Sequence, residues 1–246
     1  MRKAFYNFCF SCMCITLLAC NSENAFDCIK KTGPVVMDAV PVADFDKISL
    51  HDNINLILVS GNDMMVQIEA GKNLISKISF YVSDNTLIIE NLNTCNWVRD
   101  YKAINVYVTN PLLVEVHMHG YGSVISKDTL HTGYLSIIST DSPGDVSLVI
   151  EGDALYIVSN HLANFTIAGS LDFLRVGFYF NDSKFYGKNL QVKKIELNHN
   201  GINTIMISPS DQLTGIIGNT GNVEIYSDPP VIDLKYLGSG RLIRKD

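Results

Sequence analysis

His117 and His119 stand two apart in Val114-Glu115-Val116-His117-Met118-His119. Residues two apart share one face of a strand, and two imidazoles on one face can ligate a divalent metal. A metal site needs three or four protein ligands, and no third is evident nearby, so the pair is a weak candidate and no metal or cofactor is expected. With Val114, Val116 and Met118 as the inward set, both histidines are expected on an exposed polar stripe. Trp97 beside Tyr101 has the chemistry of a sugar-stacking platform, although an aromatic packed against Cys95 satisfies the same residues. Tyr121, Tyr134, Tyr156, Tyr179, Tyr186, Tyr226 and Tyr236 recur through the second half and would suit protein or glycan contacts if they line up.

Catalysis asks for more. A polysaccharide-cleaving enzyme needs two carboxylates about 5 to 10 Å apart in one groove. Asp141, Asp145, Asp153, Asp172, Asp182 and Asp211 fall mainly at expected turns, where Asp serves the backbone. Arg175 is the only arginine between Arg99 and Arg241. No Gly-x-Ser-x-Gly elbow, phosphate loop or His-Glu-x-x-His is present. The expected function is binding without catalysis, with no catalytic residue assigned.

The elements that would carry such a surface announce themselves by repetition. Gly122-Ser123-Val124, Gly144-Asp145-Val146, Asn164-Phe165, Lys184-Phe185, Asn203-Thr204, Gly221-Asn222-Val223 and Gly240-Arg241-Leu242 recur with steps of 22, 19, 20, 19, 19 and 19. Two residues on runs a second row, Leu148, Ile167, Gly187, Met206 and Ile225; a third holds Ile137, Ile157, Val176 and Ile195. Rows in phase at a fixed interval mark a coil whose turns stack, whereas a sandwich has no reason to keep them in step. The expectation is an all-β, right-handed parallel β-solenoid of about 19 residues per rung, since crossovers between parallel strands are right-handed. Val146, Leu148, Phe165, Ile167, Phe185, Met206, Val223 and Ile225 should point inward, with Gly187 leaving a gap for Phe185 or Met206 to fill.

Residues 40–110 alternate apolar and polar residues between turns such as Ser60-Gly61-Asn62-Asp63 and Ser83-Asp84-Asn85, but keep no clean period. They are expected to form irregular rungs or a cap of hairpins, and 111–246 the regular repeats, all within one domain spanning 40–246. Residues 1–19 combine Arg2, Lys3 and a short apolar run ending in Leu17-Leu18-Ala19 before Cys20, which is the form of an export signal. The run resembles the lipobox of bacterial lipoproteins, which implies cleavage before Cys20 and lipid on its thiol. The mature chain would run from Cys20 to Asp246, and loss of Arg2 and Lys3 takes the net charge from −6 to −8. No cluster of Lys and Arg offers a nucleic-acid partner. Residues 20–39 read as a polar tether. Cys28 and Cys95 are then the remaining pair, and an exported setting favours a disulfide between them; two free thiols stay open, since bridging needs Cα atoms within about 7 Å.

Several segments carry a family resemblance: Phe45-Asp46-Lys47-Ile48, Thr86-Leu87-Ile88-Ile89, Cys95-Asn96-Trp97, Ile104 to Leu112, Gly120-Tyr121-Gly122-Ser123-Val124, Ile216 to Tyr226 with Pro229, and Gly238-Ser239-Gly240-Arg241. Following a lipobox, this order resembles the head-GIN-domain adhesin family of Bacteroidetes. The resemblance implies a lipid-anchored β-solenoid of the cell envelope, outer membrane included, acting as an adhesin or binding scaffold toward a glycan or protein ligand. The alternative is an envelope-structural or sensing lipoprotein. Where the family tends to repeat Gly-Ser-Gly, this chain has Leu162-Ala163-Asn164, Asp182-Ser183-Lys184 and Gly201-Ile202-Asn203.

Overall fold

The computed structural model describes residues 32–94, 103–140, 142–179 and 182–245. Cys20, Cys28, Cys95, Trp97, Tyr101 and Asp141 lie outside them. The chain forms a β-solenoid of about six turns. Its regular part is a run of long strands: β9 (Val124–Ser139), β10 (Val146–Ser159), β11 (Asn164–Phe178), β12 (Lys184–His199) and β13 (Ile205–Ile217), closed by β14 (Val223–Ile225), β15 (Val231–Tyr236) and β16 (Leu242–Arg244). All these pairs are parallel, and one register runs the length of the stack: Val124, Val146, Phe165, Phe185, Ile205, Val223, Leu242. The second halves of the long strands also stack in parallel, within the same continuous sheet, and β15 continues that stack.

Alternation along each rung sends every second side chain inward. Val146, Leu148, Phe165, Ile167, Phe185, Val223 and Ile225 are buried as the repeat requires. Met206 is not. Its register partners are Tyr186 and Glu224 on the outer surface, and the buried positions are Ile205 and Ile207. The step from Phe185 to Ile205 is longer than the step from Ile205 to Val223, so a constant interval falls short of Ile205 and lands on Thr204. A slip of one residue exchanges the two faces of a strand. The third row shifts too, because β12 carries an irregularity between Tyr186 and Leu190. Val176 therefore pairs with Leu197, while Ile195, equally buried, pairs with Leu174. Beside Gly187 there is no void: a Cβ there would lie 2.4 Å from the Phe185 ring, which occupies the space.

The first part of the chain both adds rungs and caps them. β2 (Lys47–Leu50) and β3 (Ile54–Val59) make one rung, parallel to β8 (Glu115–Met118) and β9 on one side and to β6 (Thr86–Asn91) and β7 (Ile104–Thr109) on the other. Antiparallel strands finish this end: β1 (Val35–Ala39) on β4 (Met65–Gly71), β4 on β7, and β5 (Ile78–Ser83) on β6. A single helical turn, α1 (Lys72–Ile75), buries Leu74. Asp84 and Asn85 take positive φ of 50° and 60° at the β5–β6 turn, which these residue types tolerate.

Candidate functional site

The outer face over the second halves of the long strands carries polar and aromatic groups. Ser49 of β2 pairs with His117 of β8, which brings His51 beside His119. The His51 and His119 rings stack at 4.7 Å with 13° between their planes, and His117 meets His119 at 3.9 Å. Ser49 Oγ lies 2.9 Å from His51 Nε2, and His117 Nε2 lies 3.0 Å from Thr140 Oγ1. Burial, then the charges of His119 and His51, push the His117 imidazole below its ordinary value. Among the described residues no group of three His, Cys, Asp or Glu is placed to hold a metal ion. His51 and His119 lie face to face, while the His117 ring is tilted by 39° to His119.

Further along the same face the aromatics line up over three rungs. Tyr134 of β9 meets Tyr156 of β10 at 5.0 Å, and Tyr156 meets Phe173 of β11 at 5.6 Å. The Arg175 guanidinium stands 5.5 Å from the Tyr156 ring centre, and its Nη2 donates to both Glu196 carboxylate oxygens at 2.8 Å. That hydrogen bond, the largest influence on Arg175, raises its already high pKa. Register explains the grouping: Tyr134, Ala154 and Phe173 form one column, and Ser136, Tyr156, Arg175 and Glu196 the next. Flat rings beside a hydrogen-bonded charge pair can stack and hydrogen-bond a ligand. Two of the other tyrosines are engaged elsewhere: Lys188 covers Tyr226 at 4.5 Å, and Arg241 lies 5.7 Å from Tyr236. Asp172 is paired to Lys193 at 2.7 Å.

His51, Phe173 and Glu196 escape a reading by sequence spacing. His51 joins the histidines through the pairing of Ser49 with His117, a separation that the repeat of the second half does not suggest.

Inside the coil, one corner is polar. Ser139, Ser142, Ser159, Ser183 and His199 are buried there, and Ser159 Oγ meets Ser183 Oγ at 2.8 Å. His199 packs edge-on to Phe178 at 6.2 Å, and neither ring nitrogen has a hydrogen-bond partner among the described residues; the Asn203 backbone faces the ring without bonding geometry. Burial holds the His199 imidazole below its ordinary value. The sign follows from linkage. Unfolded chains take up a proton near pH 6.5 while folded His199 and His117 resist it, so stability is full above that pH and is lost as pH falls through the folded values. Thermal melts from pH 7.5 to 5 should fall with pH, by up to about 1.4 kcal/mol per unit for His199 alone. The slope should be shallower in His199→Leu; an unchanged slope would remove His199 from this account.

The architecture defines a class of protein: a stacked β-coil with an aromatic outer strip. Residues 44–229 match the family described as "Putative auto-transporter adhesin, head GIN domain", and the chain belongs to it. Among solved structures, it is similar to a putative adhesin from Bacteroides fragilis, with TM-score 0.76 and 19% identity over 86% of this chain and 97% of that one. A putative adhesin from Parabacteroides merdae matches with TM-score 0.58 and 17% identity, over 88% and 98% of the two chains. A structure named putative lipid binding protein, from Parabacteroides distasonis, matches with TM-score 0.58 and 15% identity, over 86% and 97%. At these identities the likeness is one of fold. No curated protein matches.

Proposed function

We propose that this chain is a lipid-anchored protein of the cell envelope, outer membrane included, that works as a non-catalytic adhesin or binding scaffold through the outer face of its solenoid. The observation that carries the reading is the Tyr134–Tyr156–Phe173 strip with Arg175 and Glu196: exposed binding chemistry, fixed on stacked strands, in a chain of an adhesin-named family. A glycan and matrix-protein array with the delipidated protein, run beside protease accessibility on whole cells, tests it. Binding together with accessibility is the expected result. A protected protein that binds nothing would favour the envelope-structural or sensing role, and depolymerisation of a polysaccharide, abolished by substituting a carboxylate, would overturn both.

The anchor belongs to this proposal: Cys20 carries the lipid, residues 20–39 tether it, and Cys28 is bridged to Cys95. The described flanks support the bridge. Asn73 N donates to the Thr32 carbonyl at 3.2 Å, and Asn93 Nδ2 donates to the Leu74 carbonyl at 3.1 Å, so the two lead-ins meet at adjacent residues of α1. Intact-mass analysis should show a lipidated chain starting at Cys20 that gains two hydrogens on reduction. Closing a loop of about 70 residues contributes about 4 kcal/mol in the chain-entropy model, so Cys95→Ser should melt well below the parent protein. A mass unchanged by reductant would sink the bridge.

A further inference from the structure

Between its pairing with β3, which ends at Ser126, and its pairing with β8, which begins at Ser136, the middle of β9 has β10 on one side and, among the described residues, no strand on the other. Ser60 N closes one end of this stretch on Asp128 Oδ1, and Thr132 Oγ1 bonds both the amide and the carbonyl of Tyr134 at the other, so the outer backbone groups over residues 129–133 form a short open parallel edge. A cavity of about 300 Å³ opens beside this edge, floored by Leu58, Val108, Leu113 and Leu135 and bounded opposite by Ser60 to Asn62. Leu58, Val108 and Leu135 belong to the core, so the cavity is an opening onto the core where a further rung of this side would begin.

We infer that this edge and cavity together bind an extended peptide segment of a partner protein, which adds to β9 as a strand and sets an uncharged apolar side chain on the leucine floor. The edge supplies backbone donors and acceptors in a row, which another backbone matches, and alternate side chains of an added strand point one way into a pocket. Exposed edges are ordinarily guarded by charge. Here the guards are turned aside: Asp128 Oδ1 accepts the Ser60 amide at 2.9 Å, and His131 faces Glu151 of the next rung at 3.6 Å. Lys127 lies over the Tyr107 ring at 5.9 Å, so each of these side chains is engaged away from the open backbone groups, which an extended segment can reach. His131, the one aromatic ring of the lining, faces Glu151, which leaves a sugar ring little to stack on, and the polar strand edge along one side is a poor wall for an acyl chain. This inference stands on the edge and cavity alone and is independent of the adhesin reading.

Fluorescence anisotropy with the full chain tests it, using three labelled hexapeptides in which threonine alternates with valine, leucine or phenylalanine. At least one should bind saturably, and N-methylation of its alternate amides should weaken it by about tenfold or more, because the methyl removes the donors a strand pairs through. Leu113→Trp, which fills the cavity from a half-buried loop position, should weaken it comparably with an unchanged melt; if that variant does not fold, Leu130→Glu takes its place. Absence of saturable binding by all three peptides, or binding indifferent to both N-methylation and cavity filling, overturns the inference. An array that finds no ligand leaves this result untouched, so the two readings fail separately.

Discussion

Gly122→Ala is expected to destabilise the protein by about 3 kcal/mol, which for a chain of this size lowers the melting temperature by roughly 6 to 12 °C. A Cβ at Gly122 would stand 1.7 Å from the Ile54 carbonyl oxygen, 2.4 Å from its carbon and 2.9 Å from its nitrogen. These are backbone atoms, so no side chain can swing away. The rung cannot slide to make room either: Gly122 N donates to the Asp52 carbonyl, and Leu56 N donates to the Ser123 carbonyl at 2.8 Å, tying the two turns together on both sides of the contact. Gly133→Ala is the control, because a Cβ there meets only Asp153 Oδ2, at 3.6 Å, an ordinary contact. It should leave the melt within about half a kcal/mol of the parent, as surface changes away from special features do. Equal melts for the two variants would show that the rungs are looser than this close approach requires.

That contact also explains why the repeat is legible in the sequence. In the observed register the position before the outward cassette residue is Gly122, Gly144, Ala163, Ser183, Asn203, Gly221 and Gly240, small or polar at every rung. The middle rungs, which depart from the glycine pattern, substitute other small residues: Ala163 and Ser183 are fully buried, and Ser183 Oγ donates to the His161 carbonyl and lies 2.8 Å from Ser159 Oγ. Rows of apolar residues in phase follow from stacking one rung on the next, so the solenoid is readable from spacing alone. Met206 is misplaced by spacing because a constant turn length is assumed, while β12 and β13 absorb an extra residue and return it.

The first half hides its partners for a different reason. Lys47 pairs with both Thr86 and Glu115, while Ile54 pairs with Ile104, and these separations share no common step. Hairpins inserted between rungs destroy any period, though each strand keeps its own alternation. Site residues inherit this: Tyr134 and Tyr156 sit in the regular coil and are visible from spacing, whereas the His51 contact depends on the irregular β2–β8 pairing. The aromatic strip also draws on two neighbouring columns, Tyr134 and Phe173 in one and Tyr156 in the next, so no single row contains all three.

Phe165→Ala should be among the most destabilising single changes in the coil, about 3 to 5 kcal/mol, and should leave ligand binding at the outer strip unchanged in whatever protein still folds. The Phe165 ring is fully buried, sits in register between Val146 and Phe185, and meets the Phe178 ring at 5.7 Å, which in turn rests on His199. Truncation removes a large apolar surface and leaves a hole that parallel rungs, held by backbone pairing on both sides, cannot close. Phe173→Ala, further along the same strand and part-exposed, should do the reverse. Its ring packs across the surface against Tyr156, so the melt should move by about 1 kcal/mol or less while array binding at the strip weakens. Denaturant melts and array binding on the two variants, read together, separate the residues that build the coil from those that use it; a Phe165→Ala loss under about 1 kcal/mol would mean the interior is not packed around that ring.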